Sequence, residues 1–400
     1  MDLQTELADR IGDSLYTDYF QLKEEFTPAQ VDHLRRARAF VQDDVLPVIN
    51  GYWERAEFPW PLVEKLGAAG LIGDGIEGYG CPDMDPLSAG LIHMEINRGD
   101  GSIGTFLGVQ AGLAMRSIAM LGSEEQKQQW LPSMARAAKL GAFALTEPDH
   151  GSDSIALETS ARRDGDSYVI NGRKKWIGNG SIADVVVLWA RDVADGQVKG
   201  FLVEKGTPGY QAKVIEGKGL LRAVWQAEIE LTDLRVPAEN KLPGANSFRD
   251  CGAVLATTRA VCAWAALGHA VAGYDAALTY AKRRTQFGRP LVSFQLVQDR
   301  LVKMLMKVTA MQLYCRRLAD LALVGRVEPT LAGLAKAHNT STARVVLAEA
   351  RDLLGGNGIL LDFHVVRHMA DIEAIHTFEG TEAMQTLIVG RDITGVSAFA

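Results

Sequence analysis

Ser167-Tyr168-Val169-Ile170-Asn171-Gly172-Arg173-Lys174-Lys175-Trp176-Ile177 is the stretch on which the fold turns. Apolar runs flank Asn171-Gly172, and an Asn-Gly pair between two such runs predicts a β-hairpin. Downstream, 183–190 reads as a buried strand. The runs 200–204 and 228–231 follow, separated by Gly, Asp and Pro turns. A period of two therefore fills residues 141–247 and predicts a compact antiparallel β-domain of barrel or sandwich type.

On both sides the period becomes helical. Thr27-Pro28-Ala29-Gln30 predicts an N-cap, a Pro at the first helical position and a capping box. Apolar residues then recur through Leu34, Ala37, Phe40, Val41 and Val45. Ser123-Glu124-Glu125-Gln126 is a second capping box, whose helix should stop at Leu131 before Pro132. Beyond the β-domain, 253–284, 294–323 and 331–354 hold apolar periodicity without internal Pro, which predicts a four-helix bundle. The expected architecture is α+β and multidomain: an N-terminal helical domain over 1–140, the β-domain over 141–247 and the bundle over 248–400.

With 47% hydrophobic residues in 400, the chain can build two or three soluble cores. A net charge of -7 gives no electrostatic footprint for nucleic acid or an anionic membrane. The four cysteines lie far apart without CxxC spacing, as in a reducing compartment. The charged start, Met1 to Glu6, lacks a signal-peptide core, and no apolar run approaches the ~20 residues that span a bilayer. A soluble cytoplasmic protein is expected.

Several segments could carry chemistry. Residues 143–153, Phe-Ala-Leu-Thr-Glu-Pro-Asp-His-Gly-Ser-Asp, are dense in hydroxyls and turn formers suited to a polar ring edge and a phosphate, or to a plain domain-junction loop. Trp176, beside Ile177 and Gly178, reads by itself as a core tryptophan. Arg284-Thr285-Gln286-Phe287-Gly288 ends a helix with a guanidinium fit for pyrophosphate or for C-capping. Leu354-Gly355-Gly356-Asn357-Gly358 follows a helix rather than a strand, so a C-cap with a turn is expected. His364 and His368 have the spacing of a metal pair but no third ligand, and read as a solvated helix face with no metal. In His376-Thr377-Phe378-Glu379-Gly380-Thr381, a carboxylate in apolar surroundings could be a strengthened base, although such a pair read alone is more often a helix-end turn.

Taken together, FALTEPDHGSD, KKWIGN, RTQFGRPL, LLGGNGI and HTFEGT resemble the acyl-CoA dehydrogenase family of flavoproteins over residues 27–399. The similarity is strongest to the branch holding glutaryl-CoA dehydrogenases and plant-type short-chain acyl-CoA oxidases, whose closing run is matched by Ile388 to Gly395. The resemblance implies FAD as cofactor and Glu379 as the base that takes the α-proton of an acyl thioester, giving a 2-enoyl-CoA. It implies FAD contacts at Phe143, Leu145, Thr146, Gly151, Ser152, Trp176, Ile177, Gly178 and Thr381. Arg284, Phe287, Gln295, Asp352, Leu353, Leu354, Gly355 and Gly356 would reach the FAD of a neighbouring subunit, so a homotetramer is implied. Ser152, Arg259, Gly380 and Phe399 correspond to substrate contacts. Some family members carry the base immediately before an Arg on another helix. Here that place is Thr258, which leaves Glu379.

Two departures shape the expected function. Family dehydrogenases usually have Thr or Ser where this chain has Gly178, as the plant-type oxidases do. Glutaryl-CoA dehydrogenases place an Arg, for the distal carboxylate, where this chain has Gly104. The expectation is dehydrogenation of a neutral short- or medium-chain acyl-CoA, with electrons passed to an electron-transfer flavoprotein. The alternatives are an oxidase using O2 or, disfavoured by Gly104, a glutaryl-CoA dehydrogenase. Chain length would be set by Phe106, Leu107 and their neighbours together with 372–375.

Overall fold

The computed structural model describes residues 17–398. Helix α1 (Pro28–Ala39) starts at the expected capping box: Thr27 Oγ1 accepts from the Gln30 amide, and Gln30 Oε1 accepts from the Thr27 amide. A π turn, Phe40–Val45, extends it. α2 (Ile49–Arg55), α3 (Trp60–Ala68) and α4 (Pro86–Gly99) follow. Gly101–Leu121 is one continuous apolar helix, formed of α5 (Gly101–Leu107), a π-helical stretch (Gly108–Met115) and α6 (Arg116–Leu121). In α7 (Glu124–Ala135) the helix does not stop before Pro132. That residue lies inside the helix near its end, and the helix continues past the one backbone donor the proline removes.

The sheet comprises β1 (Gly141–Ala144), β2 (Ser160–Asp164), β3 (Ser167–Gly178), β4 (Val185–Asp192), β5 (Val198–Glu204), β6 (Tyr210–Val214) and β7 (Gln226–Pro237). Its order is β1-β4-β2-β3-β7-β6, with β5 on the other edge of β4. It is mixed rather than wholly antiparallel, because β1 and β2 both run parallel to β4. Strands of four and five residues carry no sequence pattern that reports direction.

The expected hairpin at Asn171-Gly172 is absent. β3 runs through these residues with a bulge, and the turn lies at Gly165, whose φ is +61°. The Asn-Gly pair meets other needs. Asn171 Oδ1 accepts from the Asp233 amide at 2.8 Å, and a Cβ on Gly172 would lie 2.4 Å from Thr159 Oγ1.

The bundle comprises α8 (Phe248–Arg283), a short hairpin of β8 (Thr285–Gln286) and β9 (Arg289–Pro290), α9 (Gln295–Leu323), α10 (Pro329–Leu353), α11 (Val365–Thr377) and α12 (Glu382–Thr394). The last two both pack on α10. α4 packs closely on α8, since a Cβ on Gly268 would fall 2.1 Å from the Met94 carbonyl oxygen. Gly101–Leu121 and Phe248–Arg283 are both long and apolar enough to cross a membrane, contrary to the sequence expectation. Most of each apolar window is buried inside the protein, as in the core helices of a multidomain fold.

α11 ties the three domains together. Asp371 Oδ1 accepts from the indole N–H of Trp53 at 3.1 Å and from the Leu221 amide at 2.6 Å, so one carboxylate oxygen joins bundle, N-terminal domain and β-domain. One turn earlier, fully buried Arg367 pairs with fully buried Asp100 and donates to the Gly99 carbonyl at 3.1 Å. His368 is buried too, with its Nδ1 2.9 Å from His269 Nδ1, and His364 Nδ1 accepts from Arg367. The two histidines thus belong to a core network and not to a solvated face. Burial and the Arg367 charge hold their pKa values well down, to about 3 for His364.

Candidate functional site

Glu379 lies in the turn between α11 and α12. Its backbone is left-handed (φ +56°), followed by Gly380 at φ +83°. For a residue with a Cβ that conformation costs about 1 kcal/mol, so surrounding contacts must impose it. Three carbonyls of the turn are held. Lys336 Nζ donates to those of Phe378 and Gly380, and Gln385 Nε2 donates to those of Glu379 and Gly380, at 3.0 and 3.1 Å. Thr381 caps α12, its hydroxyl accepting from the Met384 amide.

Thr258 on α8 donates its hydroxyl hydrogen to Glu379 Oε2 at 2.6 Å. Burial raises the Glu379 pKa above the ordinary carboxylate value. The Thr258 hydrogen bond and the Lys336 and Arg259 charges pull the other way without cancelling it. Arg259, partly buried beside Thr258, keeps a buried Nε without a hydrogen-bond partner. Burial lowers its pKa against the pull of Glu379.

The two flavin-like segments lie side by side: the Lys175 amide donates to the Thr146 carbonyl at 2.9 Å. Beneath them the buried Lys174 ammonium donates to the Leu145 carbonyl and pairs with Glu147 at 2.8 Å. Glu147 also accepts from the amides of Glu158 and Thr159. Phe143, Leu145 and Ile177 face the core, which leaves backbone groups for a ligand. Thr146, Gly151 and Ser152 are more open. Trp176 is not a core residue. Its backbone is left-handed (φ +63°) and it is 54% exposed, because β3 bulges between Lys174 and Ile177 while Ile177 and Gly178 stay paired with β7. A Cβ on Gly178 would lie 2.8 Å from Val109 Cγ2, so the π-helical stretch abuts this strand end.

A third group sits where α8 and α10 end, joined by a hydrogen bond from Asn357 Nδ2 to the Tyr280 hydroxyl at 3.0 Å. Arg284, Gln295, Asp352, Gly355 and Gly356 are exposed there, and left-handed Phe287 is 93% exposed. Leu353 and Leu354 are buried and offer only backbone. Asp352 is engaged by Arg300 at 2.8 Å. Phe399 lies outside the described residues. Phe106 and Leu107 pack in one core and Ile372 and Ile375 in another. Gly104 has no space for a side chain, since its Cβ would fall 2.2 Å from Asn97 Oδ1.

Sequence reading missed Lys336 and Gln385. The available signal was a lysine on the apolar stripe of α10 with Ala332, Ala335, Asn339 and Ala343, all buried.

Profiles of three domains match the chain. Acyl-CoA dehydrogenase, N-terminal domain, covers residues 27–138; the middle domain covers 142–234; the C-terminal domain covers 248–394. The mitochondrial short-chain specific acyl-CoA dehydrogenase of Bos taurus is 34% identical over 358 residues, 88% of this chain and 87% of that protein. A glutaryl-CoA dehydrogenase from Mycobacterium smegmatis, solved in complex with FADH2, superposes with a TM-score of 0.94 at 36% identity, covering 96% of this chain and 99% of that one. A structure described as an electron transferring flavoprotein of Acidaminococcus fermentans gives 0.89 at 32% identity, with 92% and 98% covered. Fold and relatives define an FAD-dependent flavoprotein oxidoreductase acting on CH–CH bonds. The chain belongs to the acyl-CoA dehydrogenase family.

Proposed function

We propose that the protein removes the α-proton and a β-hydrogen from a neutral short- or medium-chain acyl-CoA, giving a 2-enoyl-CoA. Glu379 is the base, and an electron-transfer flavoprotein is the acceptor. The observation that carries this reading is the Glu379 carboxyl: desolvated, held by Thr258 and mounted on a braced turn. A thioester α-proton is weakly acidic, and burial strengthens the base that must take it.

The residues present suit FAD. Backbone amides and hydroxyls of 145–152 offer a polar edge, and exposed Trp176 offers an aromatic face beside them. The exposed third group, with Arg284 and Phe287, suits a neighbouring subunit's cofactor, so we include a homotetramer in the proposal. When bound, FAD supplies the acceptor for the β-hydrogen and two electrons. Arg259 stands ready for an anionic part of the CoA ester. Asn97 filling the space beside Gly104 supports a neutral chain over glutaryl-CoA.

Anaerobic mixing with a panel of acyl-CoAs tests the proposal. Wild-type flavin should bleach with neutral short chains, and Glu379→Gln flavin should not; a Gln variant that bleaches as fast as wild type overturns it. Gly178 favours a second reading, an oxidase. Stoichiometric hydrogen peroxide under air without another acceptor would establish that reading.

A further inference from the structure

Fully buried Gln385 and 1% exposed Lys336 both spend their donors on the backbone around Glu379. The ammonium bridges the Phe378 and Gly380 carbonyls, and the carboxamide bridges those of Glu379 and Gly380, so three consecutive acceptors are satisfied from outside the turn. Both groups rest on one face of α10. Gly333, three residues before Lys336, leaves the space Gln385 occupies, since a Cβ there would lie 2.8 Å from Gln385 Oε1. A buried ammonium without a carboxylate partner is costly, and carbonyl oxygens are the acceptors it has found. With its carbonyls turned toward α10 and Gln385, the turn holds Glu379 left-handed, with its carboxyl on Thr258.

We propose that Lys336 and Gln385 are positioning residues for catalysis, a two-donor clamp that fixes the Glu379–Gly380 backbone and thereby aims the Glu379 carboxyl at the substrate. The clamp rests on the reading of Glu379 as the base. It also predicts how the two halves differ. The ammonium adds a positive charge beside Glu379, in a setting that includes Arg259 and the thiols of Cys251 and Cys262, whereas the carboxamide adds none.

The test uses the holoenzyme carrying Lys336→Met or Gln385→Met, near-isosteric changes that delete the donors. Each should slow flavin reduction roughly 100-fold at saturating acyl-CoA, as a misplaced reacting group does, with KM little changed. Only Lys336→Met should also move the acidic limb of the rate profile to higher pH. Amide hydrogen exchange over 378–385 should rise in both variants and stay unchanged over α4. Reduction rates within about twofold of wild type, or exchange unchanged in that segment, would overturn the clamp. If Lys336→Met fails to fold, Gln385→Met decides by the same rate and exchange readouts. An inactive Glu379→Gln beside fully active Lys336→Met and Gln385→Met removes the clamp alone. An active Glu379→Gln removes the reading beneath it.

Discussion

Thr258 Oγ1 and Glu379 Oε2 stand 2.6 Å apart across 121 residues of sequence, the hydroxyl donating to the carboxylate. The position where the resemblance places the base of some family members thus holds, here, the carboxyl we propose as the base. A donor favours the charged form and keeps the Glu379 pKa from rising as far as burial alone would drive it.

Thr258→Val should therefore raise the Glu379 pKa and displace the acidic limb of kcat/KM to higher pH. A charge-assisted hydrogen bond is worth about 1.5–3 kcal/mol, so the limb should move by about 1–2 pH units, with the rate reduced on its acidic side and recovered toward alkaline pH. A limb that stays in place would show that the hydroxyl does not tune the base.

Glu147→Gln should leave the Lys174 ammonium buried with a weakened partner, although burial already draws its pKa down to about 8. Breaking such a pair costs about 3–5 kcal/mol, and here the new amide NH2 would also face the N–H of Glu158 or of Thr159 donor to donor. Thermal unfolding should occur at lower temperature, and the purified protein should carry less flavin by absorbance. Full flavin content with unchanged melting would refute a bracing role for the pair.

Gly178→Thr should strain the contact with Val109, costing about 1–3 kcal/mol, and Val109→Ala should relieve it. Comparing the melting temperatures of the single and double variants checks this. If the threonine variant melts like wild type, the strand end yields more easily than the 2.8 Å approach indicates.

Asp371 is pushed up to about 7 by burial and by the neighbouring Asp100, against the pull of Arg367 and its two donors. Its folded pKa lies above the unfolded value. The native state therefore holds a proton that the unfolded chain has lost between about pH 4 and 7, and this group's contribution to stability declines as pH rises through that window. His269, His364 and His368, held neutral by burial, act in the opposite sense over an overlapping range, so the prediction concerns a difference. The stability of wild type relative to Asp371→Asn should decline from about pH 4 to 7, with a slope of at most about 1.4 kcal/mol per pH unit. Denaturant titrations giving a flat difference would contradict it.

Helices and caps were legible because their signals are local. Thr27 and Ser123 each cap as their four-residue motifs require, and the long bundle helices begin and end within a few residues of the periodic runs. The run of strands was legible, but their pairing was not. Asn171-Gly172 satisfied the local rule for a hairpin, yet Asp233 and Thr159, distant in sequence, claimed it for a bulge. Trp176 failed for a related reason: nothing around it in the sequence shows that β3 bulges there against β7. Glu379 stood out only when its segment was read beside the other motifs of the family resemblance. Lys336 was visible only as a lysine on a buried stripe and Gln385 not at all, because the partners of both are three backbone carbonyls, and a carbonyl has no letter in the sequence.

α11 has a consequence for how variants of this protein are to be interpreted. Asp371, where three domains meet, and Thr377, two residues before Glu379, lie on one rigid rod about 9 Å apart. A small slip at Trp53 or at the Leu221 loop would travel along that rod and arrive as a misdirected carboxyl. Substitutions at the domain seam, remote from any ligand, would then present as slow enzyme rather than scarce enzyme. Sorting such variants by expression level alone would pass them as benign.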